Sequence, residues 1–314
     1  MARIVCGLTV PLRRPDVNSF IAASYGVFAS HLPAPRKIFL AKPLFAAHNS
    51  TITSVQRKGF DMGTSANLKP NIEVVKTPQH LARRSIEIFV ADARNAIKER
   101  NIFCVAISGG FTPKPFFELL GESPEAKALD WEKIHLFWVD ERYVPPDSPW
   151  SNYKLAADTF LKKVHIPETN VHRIPTEESD FKASAWHYEE TIRSVFDIKE
   201  DEVPEFDLMV LGMGADGHTG SMFPDSFAPF DTSDLACVVY VMDQKLNRIT
   251  LTHPVLRAAR HLMVLISGSE KAQILKEVMT SEPDEVQYPI HVLWPVLDKV
   301  TWLVDKEANS LLAK

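Results

Sequence analysis

The chain has 314 residues, 45% of them hydrophobic and 24% charged, the make-up of a soluble globular protein with room for one large α/β domain or two smaller ones. No apolar run approaches the roughly 18–20 residues of a membrane helix, and Cys6, Cys104 and Cys237 lack any metal-ligand spacing, so neither a membrane nor a metal partner is expected. The net charge of −5 divides into +7 on residues 1–70 and −12 on the rest, which makes the body a poor nucleic-acid binder and requires a local basic pocket for any anionic ligand.

Residues 1–70 are rich in Ser and Thr, poor in acids and without a sustained hydrophobic period. That composition matches a disordered leader or an organelle transit peptide. Because no amphipathic Arg-rich helix or cleavage signal is present, the segment reads as an upstream extension with the true start at Met62. Residues 71–314 are expected to hold the catalytic domain.

From Asn71 the pattern becomes regular. Ile72–Lys76 reads as a strand, and Thr77-Pro78 as a cap and first turn of a helix whose apolar stripe runs through about Lys98. Ile102–Ile107 is a buried strand, followed by Ser108-Gly-Gly-Phe-Thr-Pro113 and a helix over Lys114–Leu120. Ile134–Val139 is a strand ending in Asp140-Glu-Arg142. Ser151 caps a helix expected to reach Lys163, and a longer helix spans Asp180–Phe196. Strands follow at Leu208–Leu211, Cys237–Val241, Arg248–Thr252, His261–Ile266 and Val300–Val304, with a helix over Ser269–Met279. This alternation predicts an α/β fold, a mostly parallel, doubly wound sheet with helices on both faces.

Three strand ends carry chemistry. After Leu208–Leu211, Gly212, Gly214 and Gly217 break the chain around Asp216 and His218, a titratable pair where such sheets place ligands. Gly212-x-Gly214-x-x-Gly217 also spells a dinucleotide fingerprint, but Pro224 and Pro229 follow instead of a helix, and Asp231 and Asp234 precede the next strand instead of ending it. A plain glycine turn bearing a surface histidine is the simpler alternative. In the second segment, Ser108, Gly109, Gly110 and Thr112 form a tight turn into a helix, with amides and hydroxyls suited to an anion. In the third, Asp140, Glu141 and Arg142 are expected to emerge into a cleft or solvent. There Arg142 would clamp a phosphate or polarise a carbonyl, and Asp140 would orient a water or a sugar hydroxyl. Lys245 and Arg248, with Lys271, are the cations suited to a monophosphate.

Taken in order, Ser108-Gly-Gly-Phe-Thr-Pro113, Phe137-Trp-Val-Asp-Glu-Arg142 with Ser151-Asn-Tyr153, Leu211–Pro224, Arg248-Ile-Thr-Leu-Thr252 and Gly268-Ser-Glu-Lys-Ala272 resemble the 6-phosphogluconolactonase family. The resemblance covers about Asn71 to the C-terminus. It implies a sugar-phosphate isomerase-like fold and hydrolysis of 6-phospho-D-glucono-1,5-lactone to 6-phospho-D-gluconate in the oxidative pentose phosphate pathway, with no metal or organic cofactor. It further implies phosphate binding by the Ser108–Thr112 loop with Lys245 and Arg248, and His218 as the base that activates water. Asp216 would orient the imidazole or the water, and Arg142 or turn amides would receive the oxyanion. Phe111 stands where the family often has a small polar residue, and Gly220 replaces the alanine usual after His-Thr. The expected partner is the small sugar-phosphate lactone, the state a monomer or small homo-oligomer, and the location cytoplasmic, with organellar targeting by residues 1–70 as the other possibility.

Two rival functions differ at definite residues. A glucosamine-6-phosphate deaminase or isomerase would continue its glycine turn as His-Ile-Ala-Phe-Asn-Glu-Pro, whereas this chain continues Thr219-Gly-Ser-Met-Phe-Pro224. A non-catalytic sugar-phosphate sensor would add a helix-turn-helix, and residues 1–70 show no pair of amphipathic helices for one.

Overall fold

A computed structural model describes residues 69–224, 226, 233–241 and 246–312, all within one compact unit. The expected extension, with its start at Met62, lies outside the described residues apart from Lys69 and Pro70, and Lys245 also lies outside them.

After strand β1 (Asn71–Val75), Thr77 caps helix α1 (Pro78–Arg100) by accepting the His80 amide, and Asn101 ends it with a left-handed φ of 62°. Strand β2 (Phe103–Ile107), helices α2 (Lys114–Leu120) and α3 (Pro124–Lys127), strands β3 (Ile134–Trp138) and β4 (Asp140–Arg142), and helix α4 (Asn152–Thr159) follow. Then come β5 (Val171–His172), α5 (Phe181–Phe196), β6 (Leu208–Gly212), β7 (Ala236–Val239), β8 (Arg248–Leu251), α6 (His253–Ala258), β9 (Leu262–Ile266), α7 (Ala272–Thr280) and β10 (Val300–Asp305).

Seven strands form a sheet in the order β1-β10-β9-β6-β2-β3-β5, every neighbouring pair parallel. β2 and β9 are buried along their whole length, as strands covered on both faces must be. From β2 the chain steps outward to β3 and β5; from β6 it steps the other way through β9 to β10. Right-handed crossovers place the helices of the two halves on opposite faces, so the expected doubly wound class holds. The direction reverses between β2 and β6, where a crevice opens at the carboxyl ends of the strands.

Three departures have physical causes. β4, β8 and β7 form a separate antiparallel sheet, which packs beyond the end of β3 instead of extending the parallel one. The helix opened by Ser151 stops at Thr159 and not at Lys163, because Phe160 leaves helical geometry to bury its ring against Phe117 and Trp131. Short α3, β5 and α6, and a 3-10 stretch over Pro289–Lys299, were not anticipated; each is too brief or too irregular to show a period.

Candidate active site

The crevice between β2 and β6 holds a cavity of about 330 Å³ whose walls include Ser108, Gly109, Gly110, Thr112, Asp140, Arg142, His218, Arg248 and Lys271. Parallel pairing aligns the rim: Ile107 lies level with both Trp138 and Val210, so Ser108, Asp140 and Gly212 leave the sheet at nearly one height.

His218 sits on the turn after β6. Its Nδ1 lies 2.5 Å from Asp216 Oδ1, and its backbone amide donates to the same oxygen at 3.2 Å. Burial pushes the Asp216 carboxyl up, but the hydrogen bond and charge of His218 outweigh it and hold the group down at about 2. An ionised Asp216 only accepts, so Nδ1 carries the proton and Nε2 is the basic nitrogen. The turn is built for this pose. A Cβ on Gly214 would meet His218 Nδ1 at 2.1 Å, so only glycine lets the imidazole lie there. Gly217 has φ +81°, its carbonyl accepts the Ile290 amide, and Tyr288 packs behind it. Two residues apart on a turn, Asp216 and His218 meet because this geometry folds one back on the other.

Across the cavity, a Cβ on Gly109 would fall 1.9 Å from Asn152 Oδ1, so the loop rests directly on that side chain. Gly110, with φ +109° and open space about its Cα, faces the cavity. Ser108 Oγ, Asn152 Oδ1 and Arg142 Nε, all in the cavity wall, have no hydrogen-bond partner among the described residues. Three shielded polar atoms without a protein partner thus cluster at one cavity. Phe111 projects from the same loop, 95% exposed.

Arg142 and Arg248 lie directly opposite each other in the β4–β8 pair. Like charges at such positions repel. Asp140 Oδ2, 4.0 Å from Arg248, offsets this only in part, since it also accepts Ser221 Oγ at 2.7 Å. Burial lowers the Arg248 guanidinium below its ordinary value, with Asp140 opposing and Arg142 adding. The arrangement suits an anion between the two arginines. Lys271 also lines the cavity and makes no ion pair among the described residues.

One expectation is corrected. Asp140 and Arg142 do reach the cleft, Asp140 buried in its wall and Arg142 partly exposed, but Glu141 emerges into neither cleft nor solvent and is buried. Glu141 accepts the amides of Arg142, Asn152 and Tyr153 and the Ser151 hydroxyl, closing the amino end of α4. Burial pushes its carboxyl up while these four bonds oppose the shift. Glu141 is therefore a brace for Asn152, whose Nδ2 also donates to the Asp140 carbonyl at 2.8 Å. The sequence signal for this was present, since the Ser151 cap follows Asp140-Glu-Arg142 closely. Asn152 itself was noted within a motif but given no role.

A family model described as glucosamine-6-phosphate isomerases/6-phosphogluconolactonase matches residues 76–302. The chain belongs to this family. It is 38% identical over 245 residues to the 6-phosphogluconolactonase of Synechocystis sp., covering 78% of this chain and 99% of that one. It is 35% identical over 254 residues to the chloroplastic 6-phosphogluconolactonase 3 of Arabidopsis thaliana, covering 78% and 76%. The crystal structure of 6-phosphogluconolactonase from Thermotoga maritima superposes with a TM-score of 0.64 at 30% identity, over 75% of this chain and 99% of that one. A monomeric glucosamine-6-phosphate deaminase also superposes, with a TM-score of 0.65 at 20% identity over 77% of this chain and 99% of that one, so the sugar-phosphate isomerase-like fold is established.

Proposed function

We propose that the chain hydrolyses 6-phospho-D-glucono-1,5-lactone to 6-phospho-D-gluconate, with His218 as the general base. The observation that carries this reading is the Asp216–His218 pair, 2.5 Å apart on the rim of a cavity that is also lined by Ser108, its Oγ unpaired, and the two facing arginines. Relatives at 38% and 35% identity bearing the lactonase name support the reaction.

The substrate phosphate is held by the Ser108–Thr112 loop with Arg248, and by Lys245, whose place is assigned from its motif alone; Lys271 is a further cation on the same wall. This contact lies away from the reacting carbon and places the lactone carbonyl near His218. Nε2 takes a proton from water as the oxygen attacks C1. The carbonyl oxygen becomes an oxyanion, received by Arg142 or by backbone amides of the glycine turn other than that of Gly214, which donates to the His218 carbonyl. Collapse breaks the bond from C1 to the ring oxygen, which leaves with the proton returned by the imidazolium. The products are a carboxylic acid and a free hydroxyl, and the acid then releases its proton to solvent to become the carboxylate. Ionised Asp216 holds the ring and stabilises the imidazolium, and Asp140 orients Arg248 and the Ser221 turn. A base in this position contributes about 10²–10⁴-fold. The residues described call on no metal or organic cofactor for any of these steps.

The test is hydrolysis of freshly made 6-phosphogluconolactone, with spontaneous hydrolysis subtracted, for wild type and His218→Ala. Glucosamine-6-phosphate serves as the competing substrate. Wild-type lactone turnover lost in the variant supports the reading, while turnover of the amino sugar in its place overturns it.

Among the described residues no helix is long and apolar enough to cross a membrane. We assign the protein to the cytoplasm as a monomer or small homo-oligomer, with residues 71–314 as the catalytic domain and no nucleic-acid role. The chloroplastic name of the Arabidopsis relative and the +7 charge of residues 1–70 make organellar import the alternative. A fluorescent fusion of residues 1–70 decides between them.

A further inference from the structure

Phe223 touches two groups of the site with a single ring. Its centroid lies 4.5 Å from that of the His218 imidazole at an interplanar angle of 50°, and the Arg248 Cζ lies 5.3 Å from the same centroid. The two partners arrive from different elements, His218 from the turn after β6 and Arg248 from β8 of the antiparallel sheet. Among the described residues no hydrogen bond or ion pair joins them to each other. Their common neighbour is an apolar ring that can neither donate nor accept a proton.

The chain holds that ring on a fixed base. Thr219 Oγ1 donates to the Gly212 carbonyl at 2.9 Å, and the Met222 amide to the Thr219 carbonyl at 3.1 Å. Ser221 is pinned by its hydroxyl to Asp140 and by its amide to Thr250 Oγ1. Thr219, Ser221 and Met222 are fully buried, and Gly220 supplies the left-handed φ of +55° that closes the turn. The backbone beneath Phe223 is thus tied to β6, β4 and β8 at once. A cation over an aromatic face is held there by the ring quadrupole, and imidazole packs against an aromatic ring through the same contacts.

We propose that Phe223 is a positioning residue that sets the spacing between the His218 imidazole and the Arg248 guanidinium. A lactone whose phosphate meets Arg248 then presents its carbonyl to His218. This rests on the reading of His218 as base and Arg248 as phosphate cation. A contact that fixes one group against the other matters most for a substrate that uses both. Loss of the ring therefore weakens phosphate binding through Arg248 and slows chemistry through His218, and it erodes the preference for a phosphorylated lactone over plain D-glucono-1,5-lactone.

The experiment compares wild type with Phe223→Leu, Phe223→Met and Phe223→Tyr. Leu and Met fill space without a π face; Tyr keeps the face. On the phosphorylated lactone, kcat/KM of the Leu and Met variants falls about three- to tenfold, shared between KM and kcat, as loss of one cation–π contact predicts. On the unphosphorylated lactone the fall is smaller, and Tyr restores wild-type behaviour to within about twofold. Unchanged constants in the Leu and Met variants, or equal impairment of Tyr and Leu, overturn the proposal. A second arm needs no turnover: inorganic phosphate is titrated while the His218 ring resonances are followed by NMR. Phosphate shifts those resonances in wild type and the Tyr variant, and in whichever of the Leu and Met variants folds it does so less and only at several-fold higher concentration; an equal response in all overturns the coupling. A wild type inactive on the lactone counts against the proposed function, while the NMR arm still decides the role of Phe223.

Discussion

Among the described residues two Asp–His pairs of nearly equal geometry lie at opposite ends of the sheet. At the carboxyl ends, His218 Nδ1 meets Asp216 at 2.5 Å; at the amino ends, His261 Nδ1 meets Asp92 at 2.6 Å. The second pair even extends to a hydroxyl, with Thr301 Oγ1 3.0 Å from His261 Nε2. Yet both nitrogens of His261 are engaged by neighbours on α1 and β10, and no described cavity opens beside it. The same rim holds Asp207, whose two oxygens are taken by Arg100 and the Cys104 amide. At the carboxyl rim the polar atoms are left over: Ser108 Oγ, Asn152 Oδ1 and Arg142 Nε lack partners among the described residues. An Asp–His pair is therefore not by itself a catalytic device. Unspent hydrogen-bonding capacity around a cavity separates a site from a fastening.

The widest separation of the two pairs comes from removing each histidine. His218→Ala is expected to lower kcat by about 10²–10⁴-fold with little change in melting temperature. His261→Ala is expected to leave kcat within about twofold and to lower the melting temperature, since Asp92 and Thr301 lose a half-buried partner. Steady-state kinetics beside thermal melts of both variants reads this directly, and a large kcat loss in the His261 variant breaks the comparison.

Asp216→Asn sharpens it. The amide preserves shape but no longer fixes the Nδ1–H tautomer or steadies the imidazolium, so kcat falls by up to about 10⁴-fold, the scale for this change beside a catalytic histidine. The acid side follows from its depressed value. Held at about 2 when folded against an ordinary value of 3.8, Asp216 contributes stability that is present above about pH 4 and lost as pH falls toward 2. Melting curves between pH 5 and 2 should accordingly be flatter for the Asn variant than for wild type.

Gly109→Ala tests the opposite wall. A Cβ placed 1.9 Å from Asn152 Oδ1 must displace either the loop or the Asn152 side chain. Overpacking of this kind costs about 1–3 kcal/mol. Because Glu141 and the Asp140 carbonyl anchor Asn152, the loop is the part that yields, and KM for the phosphorylated lactone rises about tenfold with kcat less affected. A KM unchanged from wild type would show that the loop does not hold phosphate.

Much of this was readable from residues alone, for reasons that differ by element. β2, β6 and β9 are short apolar runs ended by polar or glycine residues, so their class and their carboxyl-end loops could be placed. Thr77, Ser151 and Asp180 act as the caps their chemistry suggests. The antiparallel β4–β8–β7 sheet could not be foreseen, because three charged residues carry no strand period and their pairing depends on a partner more than a hundred residues away. For the same reason Glu141 was expected in a cleft or solvent and is instead buried: its four donors come together only when α4 docks. The Asp216–His218 contact and the bridging ring of Phe223 likewise exist only once Gly214, Gly217 and Gly220 have folded the turn.

A third histidine set completes the comparison and carries the smallest expected effect. His135 Nδ1 and His172 Nε2 lie 3.0 Å apart at the β3–β5 edge, with His172 stacked on Phe137 at 4.4 Å. Here a histidine meets another histidine and no carboxylate, so nothing stabilises a charge. Burial, with the neighbouring His135 adding to it, lowers His172 to about 4, and burial lowers His135 as well. A folded value below the unfolded 6.5 means that the unfolded chain binds the proton more readily between them. Stability is then lost as pH falls from about 6.5 to about 4. His172→Phe keeps the stack on Phe137 and removes the titration. Wild type should lose on the order of a few degrees of melting temperature between pH 7 and 5 that the variant retains, with lactone turnover at pH 7 equal in the two. Equal acid sensitivity in both proteins would mean that the pair is hydrated enough to protonate without cost, and that the distinction between paired and unpaired histidines holds only at the two rims.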